Sequence, residues 1–108
     1  MASLEQSRID ELKAKYKTIF VFEIPVFNEE KDEDEIEVLV LRKLDRGTYK
    51  IIAKLMEQDD LIAAETGLKA LCVHGEIDKV CKDFDALRVA SNLLLEVITP
   101  KSGNVRKL

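Results

Sequence analysis

The amino-acid sequence predicts an α+β domain in which a β-hairpin packs on a small cluster of helices, in the order α-β-β-α-α-α. Apolar residues alternate with a period of two in residues 18–27 and 36–43, and elsewhere they mostly recur at helical spacing. The chain of 108 residues is 46% hydrophobic and 35% charged, which suffices for one domain that folds without a metal or a disulfide. We expect this domain to span residues 1–100 and residues 101–108 to form a basic C-terminal tail.

The N-terminal helix is predicted from a capping box and from helical spacing. Ser3 is followed three residues later by Gln6, a pattern in which two side chains satisfy exposed backbone N–H groups at the start of a helix. Apolar residues then recur near helical spacing up to Tyr16, where we expect the helix to end: Leu4, Ile9, Leu12 and Tyr16.

Two strands are predicted to form the hairpin, from Thr18 to Phe27 and from Ile36 to Lys43. In the first strand, one face carries Phe20, Phe22, Ile24 and Val26, and the other carries Ile19, Val21, Glu23 and Phe27. In the second strand, one face carries Ile36, Val38 and Val40, and the other carries Leu39 and Leu41. Pro25 has no N–H group for a sheet ladder, so the first strand lies at a sheet edge or contains a bulge.

A long acidic tip is predicted between the two strands. Seven of the ten residues from Asn28 to Glu37 are acidic, and their mutual repulsion favours exposure to solvent. Clustered carboxylates can also bind calcium, but this segment lacks the glycine-containing spacing of a calcium loop. We therefore expect a solvated tip and not a calcium site.

The middle of the chain is predicted to form two helices. Asp45 is the expected N-cap of the first, and the second begins at Asp59 or Asp60 and stops at Gly75. Gly67 lies inside this second helix, where glycine costs about 1 kcal/mol relative to alanine. A close helix crossing at Gly67 would explain that cost.

The last part of the chain is predicted to contain one short and one long helix. Residues 76–82 fit a single helical turn, and the long helix runs from Asp83 or Asp85 to Pro100. The buried stripes of the third and the last helix place three leucines in the core: Leu71, Leu87 and Leu94.

The hairpin predicts a binding partner, because its strands carry apolar side chains on both faces and a hairpin buries only one against its own helices. We expect a partner subunit or another copy to contact Ile19, Val21, Phe27, Leu39 and Leu41.

The acidic tip of the hairpin and the C-terminal tail carry opposite charge. Head-to-tail contacts between copies would join the acidic residues Asp32, Glu33, Asp34 and Glu35 to the basic residues Lys101, Arg106 and Lys107. Alternatively, both segments are simply solvated.

The sequence contains none of the common catalytic or cofactor motifs, so we expect no enzyme activity and no cofactor. One alternative is a small metal-dependent enzyme that uses Cys72, His74 and Cys81, with Asp78 or Asp83 as a fourth ligand. The apolar neighbours of both cysteines favour buried, reduced thiols instead.

The net charge of −4 argues against direct nucleic-acid binding, and neither a membrane-spanning segment nor a signal peptide is predicted. We expect a cytoplasmic protein.

One passage, from Leu39 to Lys50, resembles small acidic proteins of tailed bacteriophages. It is a strand that ends in Arg42-Lys43 and continues through Asp45-Arg46 into a helix. In those proteins a Lys-rich helix and a strand precede it, as in residues 11–16, and a Leu-Cys element with a nearby glycine follows, as in residues 71–75.

This resemblance implies a non-enzymatic structural or assembly protein of a bacteriophage. We expect a capsid- or virion-associated accessory protein in multiple copies, which binds other viral structural proteins or copies of itself in the host cytoplasm during assembly and remains in the virion. The alternative within the same resemblance is a tail-assembly chaperone, which acts transiently and is then released.

Overall fold

A computed structural model describes residues 5–99 and 103–108 and confirms the α+β class. The predicted order of a helix, two antiparallel strands and further helices is also confirmed. Within the described ranges the elements are α1 (Gln6–Tyr16), β1 (Ile19–Asn28), β2 (Glu33–Arg42), α2 (Arg46–Met56), α3 (Asp60–Leu71), β3 (Cys72–His74), α4 (Ile77–Lys82) and α5 (Phe84–Ile98). None of these helices has the length and hydrophobicity of a membrane-spanning helix.

The hairpin is longer, and its tip shorter, than the sequence predicted. β1 and β2 pair without interruption from Ile19 opposite Arg42 to Asn28 opposite Glu33, which leaves only residues 29–32 in the turn. The side chain of Asn28 closes this turn by accepting hydrogen bonds from two backbone N–H groups. Several of the acidic residues assigned to the tip therefore belong to a strand.

A third strand takes the place of the last predicted turn of α3. The chain leaves α3 after Leu71, and Cys72–His74 pairs antiparallel with β2 in the sheet order β1-β2-β3. Gly75 was predicted to stop the helix, and this prediction was wrong. It follows β3 with a φ of 107°, and a Cβ atom at Gly75 would collide with the carbonyl oxygen of Val38. The glycine therefore permits a close approach to β2.

The helix starts follow the predicted capping chemistry. Asp45, Asp59 and Asp83 are the N-caps of α2, α3 and α5, and each carboxylate accepts from backbone N–H groups in the first helical turn. The short helix predicted within residues 76–82 is α4. The capping box at Ser3 lies outside the described residues, and α1 begins after Glu5 without a side-chain cap.

The main core lies between one face of the hairpin and helices α3, α4 and α5. The leucines predicted to be buried are confirmed, with 1%, 5% and 2% of Leu71, Leu87 and Leu94 exposed. The close crossing predicted at Gly67 is also confirmed, since a Cβ atom there would lie 2.8 Å from Cδ1 of Ile52. The helices thus cover most of one face of the sheet, and the opposite face is the one that can reach a partner.

Candidate interaction surface

The strand register decides which hairpin residues face the core. Leu39 pairs with Phe22 and Leu41 with Phe20, so both leucines point toward the helices and are 0% exposed. The prediction that Leu39 and Leu41 lie on the partner-facing side with Val21 was wrong. Alternation within each strand was predicted correctly, but it does not determine which face of β2 aligns with which face of β1.

The opposite side of the hairpin, here called the outer face, is partly apolar and exposed. It consists of Ile19, Val21, Glu23, Pro25 and Phe27 from β1 and of Asp34, Ile36, Val38, Val40 and Arg42 from β2. Val21, Phe27 and Ile36 are 46%, 47% and 44% exposed, whereas Ile19 and Val38 are half-buried. The structure therefore keeps Ile19, Val21 and Phe27 in the candidate surface and adds Ile36 and Val38 to it.

One residue of the outer face is fully buried. Val40 points away from α3, α4 and α5 and is nevertheless 0% exposed, and it does not belong to the main core. The exposed apolar part of the outer face is therefore formed by Val21, Phe27 and Ile36 and excludes Val40.

The acidic residues near the turn divide into exposed and paired groups. Asp32, Glu33 and Asp34 are exposed, as predicted for a solvated tip. Glu35 instead faces inward, with its carboxylate 3.0 Å from Nζ of Lys31 and 4.0 Å from Nζ of Lys79. The hydrogen bond from Lys31 is the main reason that the pKa of Glu35 is lowered. Glu35 is therefore committed to contacts within the chain.

Glu37 is a buried carboxylate that the sequence analysis did not single out. Only 1% of the residue is exposed, and Oε2 lies 3.6 Å from Nζ of Lys79. Oε1 has no hydrogen-bond partner among the described residues. The sequence signal for the burial of Glu37 is its position two residues before Leu39, because residues two apart on a strand share a face.

The described part of the basic tail, residues 103–108, is exposed and belongs to neither a helix nor a strand. Arg106 and Lys107 are available to a partner, and Val105 and Leu108 are 100% and 104% exposed. Lys101 lies outside the described residues. An exposed segment that combines two basic and two apolar side chains is suited to binding another surface.

The residues of the metal alternative do not form a site. Among the described residues, no group of at least three His, Cys, Asp or Glu side chains could hold a metal ion. Burial is the main reason that the pKa values of the Cys72 and Cys81 thiols are raised, which disfavours the thiolate that binds metals or attacks substrates. The Cys72 thiol donates to the carbonyl oxygen of His74 at 3.3 Å. The surroundings of Cys72 and Cys81 therefore favour neutral thiols that pack within the fold.

A second apolar feature is a groove of about 310 Å³ between α2, α3 and the C-terminal half of α5. Its apolar lining includes Ile52, Met56, Leu61, Ala64, Leu95 and Ile98. The polar residues along it are Asp60, Ser91 and Asn92, and Ser91 donates to the carbonyl oxygen of Leu87 within its own helix. The described lining of the groove contains no histidine and no cysteine.

Comparisons of the chain with protein-family models, with curated proteins and with solved structures find no match.

Proposed function

We propose that this chain is a non-enzymatic structural or assembly protein of a tailed bacteriophage, which acts by binding copies of itself or other viral structural proteins. The observation that supports this best is the exposed apolar outer face, with Val21, Phe27 and Ile36 on two paired strands. The resemblance of residues 39–50 to small phage proteins supports the viral context. A capsid- or virion-associated accessory protein is the preferred role.

The size of the apolar surface favours a protein that works in multiple copies. Complete burial of a large apolar side chain contributes about 1.5 to 3 kcal/mol, so three side chains that are roughly half exposed contribute about 2 to 4 kcal/mol together. Association of two free molecules costs about 4 kcal/mol or more in lost freedom of motion. One such contact alone is therefore weak, and several contacts made simultaneously in an assembly are strong.

The experiment is light scattering on the purified chain and on two matched variants. Phe27→Ser with Ile36→Ser removes apolar surface from the outer face and should shift the chain toward monomer. Tyr49→Ser with Ile51→Ser is the control, since both residues are 54% exposed on α2, away from the hairpin. Association that persists in the first variant, or that is lost equally in both, would contradict a role for the outer face.

Particle composition separates the two phage roles. Mass spectrometry of purified particles from a phage that encodes this chain should detect a virion component in a fixed ratio to the other structural proteins. A tail-assembly chaperone would be present during assembly and missing from the finished particle. Absence from both stages would refute the viral proposal itself.

A further inference from the structure

We propose that residues 19–23, at the free edge of β1, bind the tail of a second copy of this chain as an additional β-strand. This contact uses the outward backbone groups at the edge of β1, whereas the outer-face contact uses side chains, and Ile19, Val21 and Glu23 belong to both surfaces. Different variants test the two contacts, because charge reversal of the tail leaves the outer face unchanged, and Phe27→Ser with Ile36→Ser leaves residues 19–23 and the tail unchanged.

The half of the β1 edge near the turn is called closed, because its outward N–H groups are bonded or missing. The other half is called open, because no described residue accepts from its outward N–H groups. β1 is an outer strand of the sheet, so alternate backbone groups point away from β2. The N–H group of Phe27 donates to Oδ2 of Asp83 at 3.1 Å, which identifies the odd-numbered residues as those pointing outward. Pro25 has no N–H group to offer. The N–H groups of Val21 and Glu23 point outward, and no described residue accepts from either.

An open edge is exceptional because proteins usually block exposed strand edges against pairing with other chains. Here Pro25 and Asp83 block the half near the turn, as such protection requires. The half that begins at Ile19 has no comparable protection among the described residues. This asymmetry points to the open half as a place where a strand is added.

A recess runs along this open half, between β1 and α5. It has a volume of about 330 Å³ and is lined by residues 20–23 together with Leu93, Glu96 and Val97. Consecutive strand residues point to opposite faces, so a recess that touches all of residues 20–23 lies at the edge of the sheet. A strand added there would gain backbone hydrogen bonds and would also bury side chains against Leu93 and Val97.

The tail is available for pairing with the open edge. Residues 103–108 are exposed, belong to neither a helix nor a strand, and have no partner strand among the described residues. The five residues of the open edge span about 16 Å, and six residues of β-strand span about 20 Å, so residues 103–108 can pair along the whole of it.

The tail also matches the recess in charge and polarity. In an extended strand Val105 and Lys107 share one face, and Arg106 and Leu108 share the other, so each face is half apolar and half basic. The open edge carries both apolar and acidic side chains on each of its two sides. Val21 and Glu23 lie on the outer side, and Leu93 and Val97 lie with Glu96 on the side of α5. The match holds for either facing of the tail.

The occupant is the tail of a second molecule. Within one molecule the described tail residues are all exposed, including Val105 at 100%, and they make no hydrogen bond to β1. A tail exchanged between copies satisfies the open edge of each receiving molecule and leaves that molecule's own tail available to the next one.

Amide hydrogen exchange measured by NMR on the full chain tests this inference. As protein concentration rises until nine in ten molecules are paired, exchange at Val21 and Glu23 should slow about tenfold. Arg106→Glu with Lys107→Glu should abolish the slowing. Lys50→Glu with Lys54→Glu is the control, because it makes the same change in net charge at exposed positions of α2 and should preserve the slowing.

A charge exchange provides the positive test. Glu23→Lys with Glu96→Lys should also abolish the slowing. Combining these two substitutions with Arg106→Glu and Lys107→Glu should restore at least half of the slowing. Circular dichroism verifies that each variant is folded. Three results would overturn the inference: slowing that does not depend on concentration, which means that the molecule's own tail binds; slowing that survives tail reversal, which means that two β1 edges pair; and no slowing at any concentration.

Discussion

Replacement of the buried Glu37 by methionine is expected to stabilise the protein. The Glu37 side chain is 2% exposed, and its 3.6 Å separation from Nζ of Lys79 is too long for a hydrogen bond. A buried polar group without a partner costs about 1 to 3 kcal/mol, whereas an ion pair with a lysine that is 40% exposed returns about 0 to 1 kcal/mol. Glu37→Met should therefore raise the free energy of unfolding by about 1 to 2 kcal/mol.

The reciprocal variant is expected to have the opposite effect. Lys79→Met leaves the Glu37 carboxylate buried without its cation, which costs about 3 to 5 kcal/mol in a fully buried pair. Because Lys79 is 40% exposed and its ion pair contributes about 0 to 1 kcal/mol, we expect a smaller loss of up to about 1 kcal/mol. The double variant should match Glu37→Met to within about 0.5 kcal/mol, because neither charge then remains.

Urea unfolding at neutral pH, followed by circular dichroism, measures these changes. Glu37→Gln is the matched control, because it keeps the shape and the polar atoms while it removes the charge. Destabilisation of Glu37→Met by more than about 1 kcal/mol would refute the reasoning, since the carboxylate would then have to contribute favourably through a partner. An unchanged stability of Lys79→Met would show that the pair is too loose to matter.

Other predictions concern the core, an N-cap and the turn. Truncation to alanine should lower the free energy of unfolding by about 2 to 5 kcal/mol at each of the buried leucines, measured by urea unfolding: Leu71, Leu87 and Leu94. Hydrogen bonds from Thr48 N–H and from Arg42 lower the pKa of Asp45 from 3.8 to about 2, so its stabilising effect is present above pH 3.8 and is lost as the pH falls toward 2. The difference in Tm between wild type and Asp45→Asn should shrink over this interval, and a constant difference would exclude the charge as its origin. Glycine at Asp32, where φ is 51°, with serine at Glu33 and Asp34 should leave Tm unchanged or slightly higher, because these carboxylates are exposed. Glu35→Ser should lower Tm because it removes the contacts with Lys31 and Lys79.

The features predicted correctly from the sequence depend on neighbouring residues. The N-cap at Asp45 was predicted outright, and Asp59 and Asp83 were each one of two predicted alternatives, because a capping carboxylate binds N–H groups within its own helical turn. Strand β3 was not predicted, because Cys72–His74 is too short to show a period. Its backbone pairs with Val40 and Leu41, about thirty residues earlier in the chain.

The candidate surface was only partly predictable for the same reason. Exposed Val21 and Phe27 follow from alternation along β1, which is a local pattern. The assignment of Leu39 and Leu41 required the register between strands, which is set when the hairpin closes and packs on the helices. The edge position of β1 was one of the two alternatives predicted from Pro25, and it is confirmed by the strand order. Which part of that edge stays open was not predictable, because it depends on the position of Asp83.

The two proposed contacts have different symmetry, and together they would build an extended assembly. A contact between the outer faces of two copies uses the same residues on each side, so it joins two molecules around a twofold axis and then stops. A tail bound to the β1 edge joins different surfaces, so it repeats from one copy to the next until a ring closes or a filament forms. A subunit with both contacts can bind neighbours face to face and edge to edge at once. Each contact then strengthens the other through effective concentration, although neither has to be strong alone. Weak surfaces on a stable domain are what a protein needs if it must remain dispersed before assembly and become fixed in place within it.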